Sequence, residues 1–284
     1  MRYNNPMKIS FLGIPGSFSY QAAREYFSEQ DAYEGHPRFA EIFEDILKER
    51  VDYGIIPVEN SLTGSIYENY DLLYRYDVRV FGEHYLKVEH NLMAIVSGDD
   101  PKERISSITR AFSHPRALEQ CAHFFEKHPH IQATAYTDTA AAAQYVAQSG
   151  DTHMAAVANR EASRLYDLQI LAANIEDDPH NYTRFLVIGR DKDFDRESNK
   201  CSVLFTLPHV PGSLFRTLKY LADHNLNLTK IESRPIPGKA FEYIFSVDFE
   251  FKTGDMARID EAITDFRKTT HTLKVLGFYR AGTL

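Results

Sequence analysis

Cysteine is almost missing from this 284-residue chain: Cys121 and Cys201 are the two it has. Two thiols give no disulfide framework and point to a reducing compartment. Basic residues are in deficit, 32 Lys and Arg against 40 Asp and Glu, for a formal net charge of −8. That balance argues against non-specific nucleic-acid binding and offers no polybasic signal for a membrane surface. It does not exclude an anionic small molecule, because a local site can oppose the global charge. Long apolar runs are absent too, so nothing approaches the ~20 residues of a membrane span. The N-terminal "MRYNNPMKISFLG" lacks the apolar core of a secretory signal. Internal repeats and low-complexity tracts are missing. What is present, 43% hydrophobic and 25% charged residues, is ordinary globular composition. The length suggests two domains, and the whole reads as a cytoplasmic enzyme or binding protein.

Apolar patterning alternates between strand and helix. "KISFLG" predicts a strand, "YQAAREYF" a helix, and Phe39, Phe43, Ile46 and Leu47 recur at helical spacing before the strand "VDYGIIPV". Helices follow in "NYDLLYRY", "ALEQCAHFF", "AAAAQYVAQ" and "REASRLY", with strands in "HMAAVA" and "RFLVIG". Such alternation implies an α/β sheet. The charged, apolar-poor "RDKDFDRESNK", residues 190–200, breaks the pattern and is a candidate linker. Beyond it come "CSVLFTL", "GSLFRTLKYLADHN", "LNLTKIESR", "FEYIFSVDFEF", "DMARIDEAITDFRK" and "HTLKVLGFY". Their order, βαββαβ, is that of a ferredoxin-like domain. In the fourth piece Phe241, Tyr243, Phe245, Val247, Phe249 and Phe251 alternate with Glu242, Ile244, Ser246, Asp248 and Glu250. That period of two predicts a half-buried strand.

Several polar loops sit at strand ends. In "GIPGSFSYQAA", Gly13 and Gly16 allow a tight turn, and Ser17 or Ser19 can cap a helix whose start offers N–H groups to an anion. The lysine and spacing of a P-loop are missing, and alone this is an ordinary strand–turn–helix corner. "IPVENSLTGSIYENYDLL" places Glu59, Asn60 and Ser61 beyond a strand end, where open α/β sheets bind ligands; equally, these residues can satisfy turn backbone. In "FSHPRALEQC", Ser113 suits an N-cap, Pro115 the first turn, and His114 is titratable. Asp138 or Thr139 caps the alanine-rich helix. Cys121, His123, His128 and His130 match no familiar zinc spacing and read as surface histidines around a buried thiol. "DPHNYTRF" puts Asn181, Thr183 and Arg184 at the mouth of the strand "LVIG". Taken together, these loops suit a small polyanion held by neutral donors.

The set of "GIPGSFSYQAA", "IPVENSLTGSIYENYDLL", "SHPRALEQC", "DTA", "NYTRF", "GSLF" and "TKIESRP" resembles the prephenate dehydratase family, in the family's order and over nearly the whole chain. The C-terminal part resembles the ACT regulatory domain, for which "ESRP" is a hallmark in these enzymes. Arg116 stands where glutamine is common, Asn159 where serine is, and Ser213 and Phe215 where a Gly-Ala-Leu-Val sequence is usual. The resemblance implies a two-lobed, periplasmic-binding-protein-like α/β catalytic domain over 7–190. Its lobes would be 7–84 plus 180–190, and 85–179, followed by an ACT domain over 200–284. No fused chorismate mutase is expected.

The implied reaction is that of a carbon–oxygen lyase. Prephenate, a small dicarboxylate, loses CO₂ and water to give phenylpyruvate, driven by aromatisation and calling for no metal or cofactor. Thr183 is implied as donor to the leaving hydroxyl. Arg184 is implied as a carboxylate anchor or loop stiffener, and Phe185 as pocket wall or first core residue. Ser17, Asn60, Ser61, Ser113, His114, Thr139 and Asn181 are implied to bind substrate. L-phenylalanine is the implied effector, bound between two subunits of a homodimer or dimer of dimers by Gly212, Ser213 and Leu214 of one chain and Asn227 and Leu228 of the other. Glu232 and Ser233 would transmit or frame that site. Arogenate as substrate, and a non-catalytic amino-acid sensor, are the alternative readings.

Overall fold

The computed structural model describes residues 6–96, 100–190, 197–236, 238–239 and 241–284. The chain begins with β1 (Lys8–Leu12), α1 (Phe18–Tyr26), β2 (Ala32–His36), α2 (Phe39–Leu47) and β3 (Tyr53–Asn60). β1 pairs in parallel with β2 and with β3, so α1 and α2 are crossover helices. α2 buries Ile42, Phe43 and Ile46, as its helical spacing requires. A short β4 (Gly64–Ser65) folds back on β3, and α3 (Tyr67–Arg75) leads to β5 (Arg79–Lys87).

A second sheet follows. It is built from β6 (Asn91–Ile95), α4 (Pro101–Ile105), β7 (Arg110–Ser113), α5 (Pro115–Glu119), α6 (Ala122–Lys127), β8 (Gln132–Ala135), α7 (Thr139–Ser149), β9 (Met154–Ala158), α8 (Arg160–Leu165) and β10 (Leu168–Ala172). Its strand order is β10-β6-β9-β7-β8. The single helix expected over "ALEQCAHFF" is two, α5 and α6. The returning chain bonds into the break: Asp177 N–H donates to the Gln120 carbonyl (2.7 Å), and its carboxylate accepts from His123 N–H (3.0 Å).

β11 (Tyr182–Gly189) then re-enters the first sheet between β3 and β5, antiparallel to both. The first sheet is therefore β2-β1-β3-β11-β5. The backbone crosses between sheets at 88–90 and at 173–181, and β5 stays in the first sheet through Lys87.

The third sheet comprises β12 (Lys200–Thr206), α9 (Ser213–Asp223), β13 (Asn227–Pro235), β14 (Tyr243–Glu250), α10 (Met256–Thr269) and β15 (Thr272–Tyr279), in strand order β13-β14-β12-β15. This is the ferredoxin-like βαββαβ arrangement. Val203, Phe205, Val247 and Phe249 pack under both helices with Ile259 and Phe266.

The half-buried reading of β14 fails. Ser246 and Asp248, taken as the solvent face, are 4% and 3% exposed. The reason is tertiary: this face lies on the first sheet. Leu204, Ile244, Leu276 and Tyr279 share one core with Ile56, Val80, Leu186 and Ile188. Of the linker expected at 190–200, residues 191–196 lie outside the described residues, but the segments on either side of it share that continuous core.

Candidate active site

Both crossings border a cleft between the first two sheets. Its volume is about 300 Å³, at the small end of the ~300–1,000 Å³ typical of ligand sites. Ser17, Asn60, His114, Thr139, Asn181, Thr183 and Phe185 line it, joined by Gly13, Phe18, Ser19, Thr63, His90, Arg116, Gln120 and Asp138.

The floor is a hydrogen-bonded junction of three motif residues. β11 and β3 put Thr183 opposite Asn60 in register. Asn60 Nδ2 donates to Asn181 Oδ1 (2.7 Å), to the Tyr182 carbonyl (3.1 Å) and to Thr183 Oγ1 (3.1 Å). Asn60 Oδ1 accepts from the N–H groups of Leu62 and Thr63, so its amide orientation is fixed from both ends. With Thr183 Oγ1 accepting from Asn60, its own proton remains available to a third group. Asn181 is 1% exposed, yet its Nδ2 has no protein acceptor. A buried orphan donor beside a cleft is a ready partner for substrate oxygen.

Helix starts supply the rest. Ser17 caps α1, accepting from Tyr20 N–H at 3.2 Å and donating to the Leu12 carbonyl at 3.2 Å. The first-turn amides of Phe18 and Ser19 have no helical acceptor and sit beside the cleft, where an anion is favoured. His114, not Ser113, is the N-cap of α5: its Nδ1 accepts from Arg116 N–H at 3.2 Å. Asp138 caps α7 through Ala141 N–H at 2.7 Å, which places its carboxylate at that helix start.

Three expected site residues turn away from the cleft. Ser113 ends β7 fully buried, its hydroxyl donating to the Val157 carbonyl at 2.6 Å, so it ties β7 to β9 instead of meeting substrate. Ser61 fastens one crossing to the other: its Oγ donates to the His180 carbonyl and accepts from Tyr182 N–H, both at 2.9 Å. Arg184 alternates with Thr183 and Phe185 and so leaves the opposite sheet face. Its guanidinium, 5% exposed, meets Glu83 Oε2 (2.7 Å), Asp248 Oδ2 (2.5 Å) and the Tyr279 hydroxyl (3.1 Å). Burial works against its charge, but Asp248, Tyr279 and Glu83 outweigh it and hold its pKa well above the usual value. It cannot anchor a carboxylate in the cleft. Phe185 belongs both to the cleft wall and to the core of the first sheet.

Sequence reasoning missed His90, a lone histidine in a stretch where no motif or strand was read. It is 2% exposed, with Nε2 2.9 Å from Gln120 Oε1 and no partner for Nδ1. Burial lowers its pKa, partly offset by Gln120 and Glu176, so it is neutral at neutral pH. The Cys121 thiol is buried and its pKa pushed up, while His123 lies out beside Asp177. Among the described residues, Glu34, His36 and Asp45 have ligand atoms within 4.8 Å of one another, and none of the three lines the cleft.

In the effector region, Gly212 adopts φ 77° as N-cap of α9, a conformation glycine takes without strain. Ser213 Oγ donates to the Val210 carbonyl at 2.9 Å, and Leu214 packs into the core of the third sheet. Asn227, Leu228 and Ser233 are exposed along edge strand β13. Glu232 faces the first lobe, accepting from the Ser65 hydroxyl at 2.8 Å.

A ligand-sized cleft between two α/β lobes, floored by neutral hydrogen-bonding groups and carrying a βαββαβ module, defines a two-lobed enzyme with a regulatory-type domain. Comparison gives the particular family. The prephenate dehydratase family model matches residues 9–193 and the ACT domain model residues 202–266, and the chain belongs to the prephenate dehydratase family. A bifunctional chorismate mutase/prephenate dehydratase of Aquifex aeolicus is 35% identical over 274 residues, covering 96% of this chain and 73% of that protein. Arogenate dehydratase 5 of Arabidopsis thaliana, a chloroplastic protein, is 38% identical over 296 residues, covering 98% and 68%. The structure of a prephenate dehydratase of Arthrobacter aurescens in complex with L-Phe has a TM-score of 0.84 at 25% identity, covering 96% of this chain and 89% of that one. The structure of GqqA, described as a quorum-quenching acylase, has a TM-score of 0.85 at 28% identity, covering 96% and 98%.

Proposed function

We propose that the cleft converts prephenate to phenylpyruvate, CO₂ and water. The observation that carries this is the junction of Asn60, Asn181 and Thr183, which fixes one hydroxyl at the cleft floor with its proton unspent. Thr183 donates to the ring hydroxyl as it leaves. A threonine is a poor free acid, so it acts by a hydrogen bond that strengthens as charge builds on the departing oxygen. Asn181 Nδ2 and the α1 amides hold carboxylate oxygens. The ring carboxylate is left to depart as CO₂. The catalytic part is 7–190 and the ACT domain 200–284.

L-phenylalanine is the proposed effector, bound where Gly212 opens α9 and edge strand β13 meets a second copy. Val210, Phe215, Leu228 and Ile231 are 54%, 72%, 37% and 43% exposed on that side of the module, an apolar edge suited to a homodimer. The cytoplasm is the proposed compartment; no described helix is long and apolar enough to cross a membrane. Arogenate is the second reading, favoured by the arogenate dehydratase relatives and by Asp138, a carboxylate at the cleft that suits a substrate ammonium.

Steady-state turnover on both substrates separates the two. Thr183→Ala is expected to lower kcat on the preferred substrate by about 10²–10⁴-fold with little change in KM. Near-normal kcat in a folded Thr183→Ala protein would refute the assignment.

A further inference from the structure

Arg184 and Glu59 are register partners on β11 and β3, and the next pair along those strands is Thr183 and Asn60. On the facing sheet, Asp248 of β14 and Lys230 of β13 are register partners too. The two cross-strand pairs meet with opposite charges. Arg184 Nη1 lies 2.5 Å from Asp248 Oδ2, and Lys230 Nζ lies 3.0 Å from Glu59 Oε2. The side chains of Arg184, Asp248 and Lys230 are 5%, 4% and 9% exposed, so solvent screens the Arg184–Asp248 contact little; Glu59, at 38%, leaves its pair with Lys230 partly open to solvent.

Each member is held in turn. Glu83 binds Arg184 and also Lys200 of β12 (2.8 Å). Asp248 Oδ1 accepts from Ser202 Oγ at 2.6 Å, which is itself 2.6 Å from the Tyr279 hydroxyl. Lys230 Nζ also donates to Ser65 of β4, which pairs with Glu59. At this point the β3–β11 ladder slips: Arg184 pairs with Glu59 but Phe185 with Pro57, leaving Val58 unmatched. A bulge of this kind re-aims the neighbouring side chains.

We propose that Arg184 and Glu59 are positioning residues, gripped by Asp248 and Lys230 of the ACT domain, which thereby sets the Thr183–Asn60 contact at the cleft floor. The ACT domain then supports the geometry of the cleft floor from outside the catalytic part. A shift of β13 against β14 changes the grip on one strand relative to the other. That moves Thr183 against Asn60 without any side chain of the ACT domain entering the cleft. A displacement of about 1 Å near the reacting atoms is enough to change rate by about 10²-fold. The proposal rests on Thr183 as the donor.

The test is steady-state kinetics on full-length Asp248→Asn, Lys230→Met, Lys230→Arg and Arg234→Ala proteins, each also made with Thr183→Ala. Arg234 is the control, an ACT residue paired with Asp71 of α3 (2.8 Å) but not with the strands under Asn60 and Thr183. Asp248→Asn and Lys230→Met are expected to lower kcat by about 10- to 100-fold with KM within about threefold. Lys230→Arg retains activity, and Arg234→Ala is within about twofold of wild type. In the Thr183→Ala background the Asp248→Asn and Lys230→Met losses disappear, because the group they position is gone. Lys230→Met, at the rim of the network, decides the matter if Asp248→Asn fails to fold. Inactive Thr183→Ala together with intact kcat in both ACT variants overturns the positioning role. So do losses that persist undiminished without Thr183, or that fall on KM alone. Near-normal Thr183→Ala overturns the donor assignment instead, and the positioning role with it.

Discussion

Gly277 is where the docking of the ACT domain is most exposed to a single added carbon. It sits on β15 against β5, and a Cβ there would lie 2.1 Å from the Val80 carbonyl oxygen and 3.0 Å from its carbon. Both obstacles are backbone of a central core residue, so no rotamer change relieves the clash. β15 must retreat from β5 by about 1 Å, opening a core packed at near-crystalline density. Overpacking of this kind costs about 1–3 kcal/mol. For a chain of this size, about 2–4 °C is lost per kcal/mol, so Gly277→Ala is expected to lower the melting temperature by about 2–12 °C. Gly282→Ala serves as an internal scale. Its Cβ would meet Tyr85 and Glu83 side-chain atoms at 3.0 and 3.2 Å and the Glu83 carbonyl oxygen at 3.2 Å, a tight fit but far short of the 2.1 Å clash at Gly277. Differential scanning calorimetry with circular dichroism at 20 °C as a fold check reads both variants. If Gly277→Ala melts with wild type, or above Gly282→Ala, the ACT sheet does not rest on β5 as described and the shared core is misassigned.

Two further outcomes are expected. His90 has its pKa lowered by burial, so the unfolded chain binds the proton more readily; the stability its neutral form provides is intact above the ordinary value of 6.5 and is lost as pH falls from there through the folded value. Denaturant unfolding between pH 7.5 and 5 is therefore expected to show a wild-type loss with slope up to about 1.4 kcal/mol per pH unit that His90→Asn lacks, and equal slopes would contradict the burial argument. In the effector region, calorimetry is expected to show L-phenylalanine binding to wild type and at least about tenfold weaker binding to Gly212→Val, since a β-branched residue at φ 77° is strained; equal affinities would remove Gly212 from the site.

Much of this molecule was legible in one dimension. The alternation of strand and helix, the βαββαβ order after residue 200, and the polar strand-end motifs all follow from local periodicity and turn chemistry. That Asn60 and Thr183 lie side by side does not: β3 ends at one and β11 begins near the other, and only the pairing of those two strands joins them. The failures share one cause. β14 reads as a strand with a wet face because Ser246 and Asp248 are polar, and β13 reads as a regulatory motif. Neither pattern says that a second sheet covers those residues. Ser113 reads as a cap because serine before His-Pro suits one, yet its hydroxyl goes to Val157 on another strand. Arg184 reads as a substrate anchor because it stands beside Thr183. Alternation along a strand sends it to the opposite face, and only the docking of the ACT domain supplies Asp248 and Tyr279 there. Periodicity fixes which residues share a face of an element; what that face meets depends on contacts between residues far apart in the chain, and those are set by tertiary packing alone.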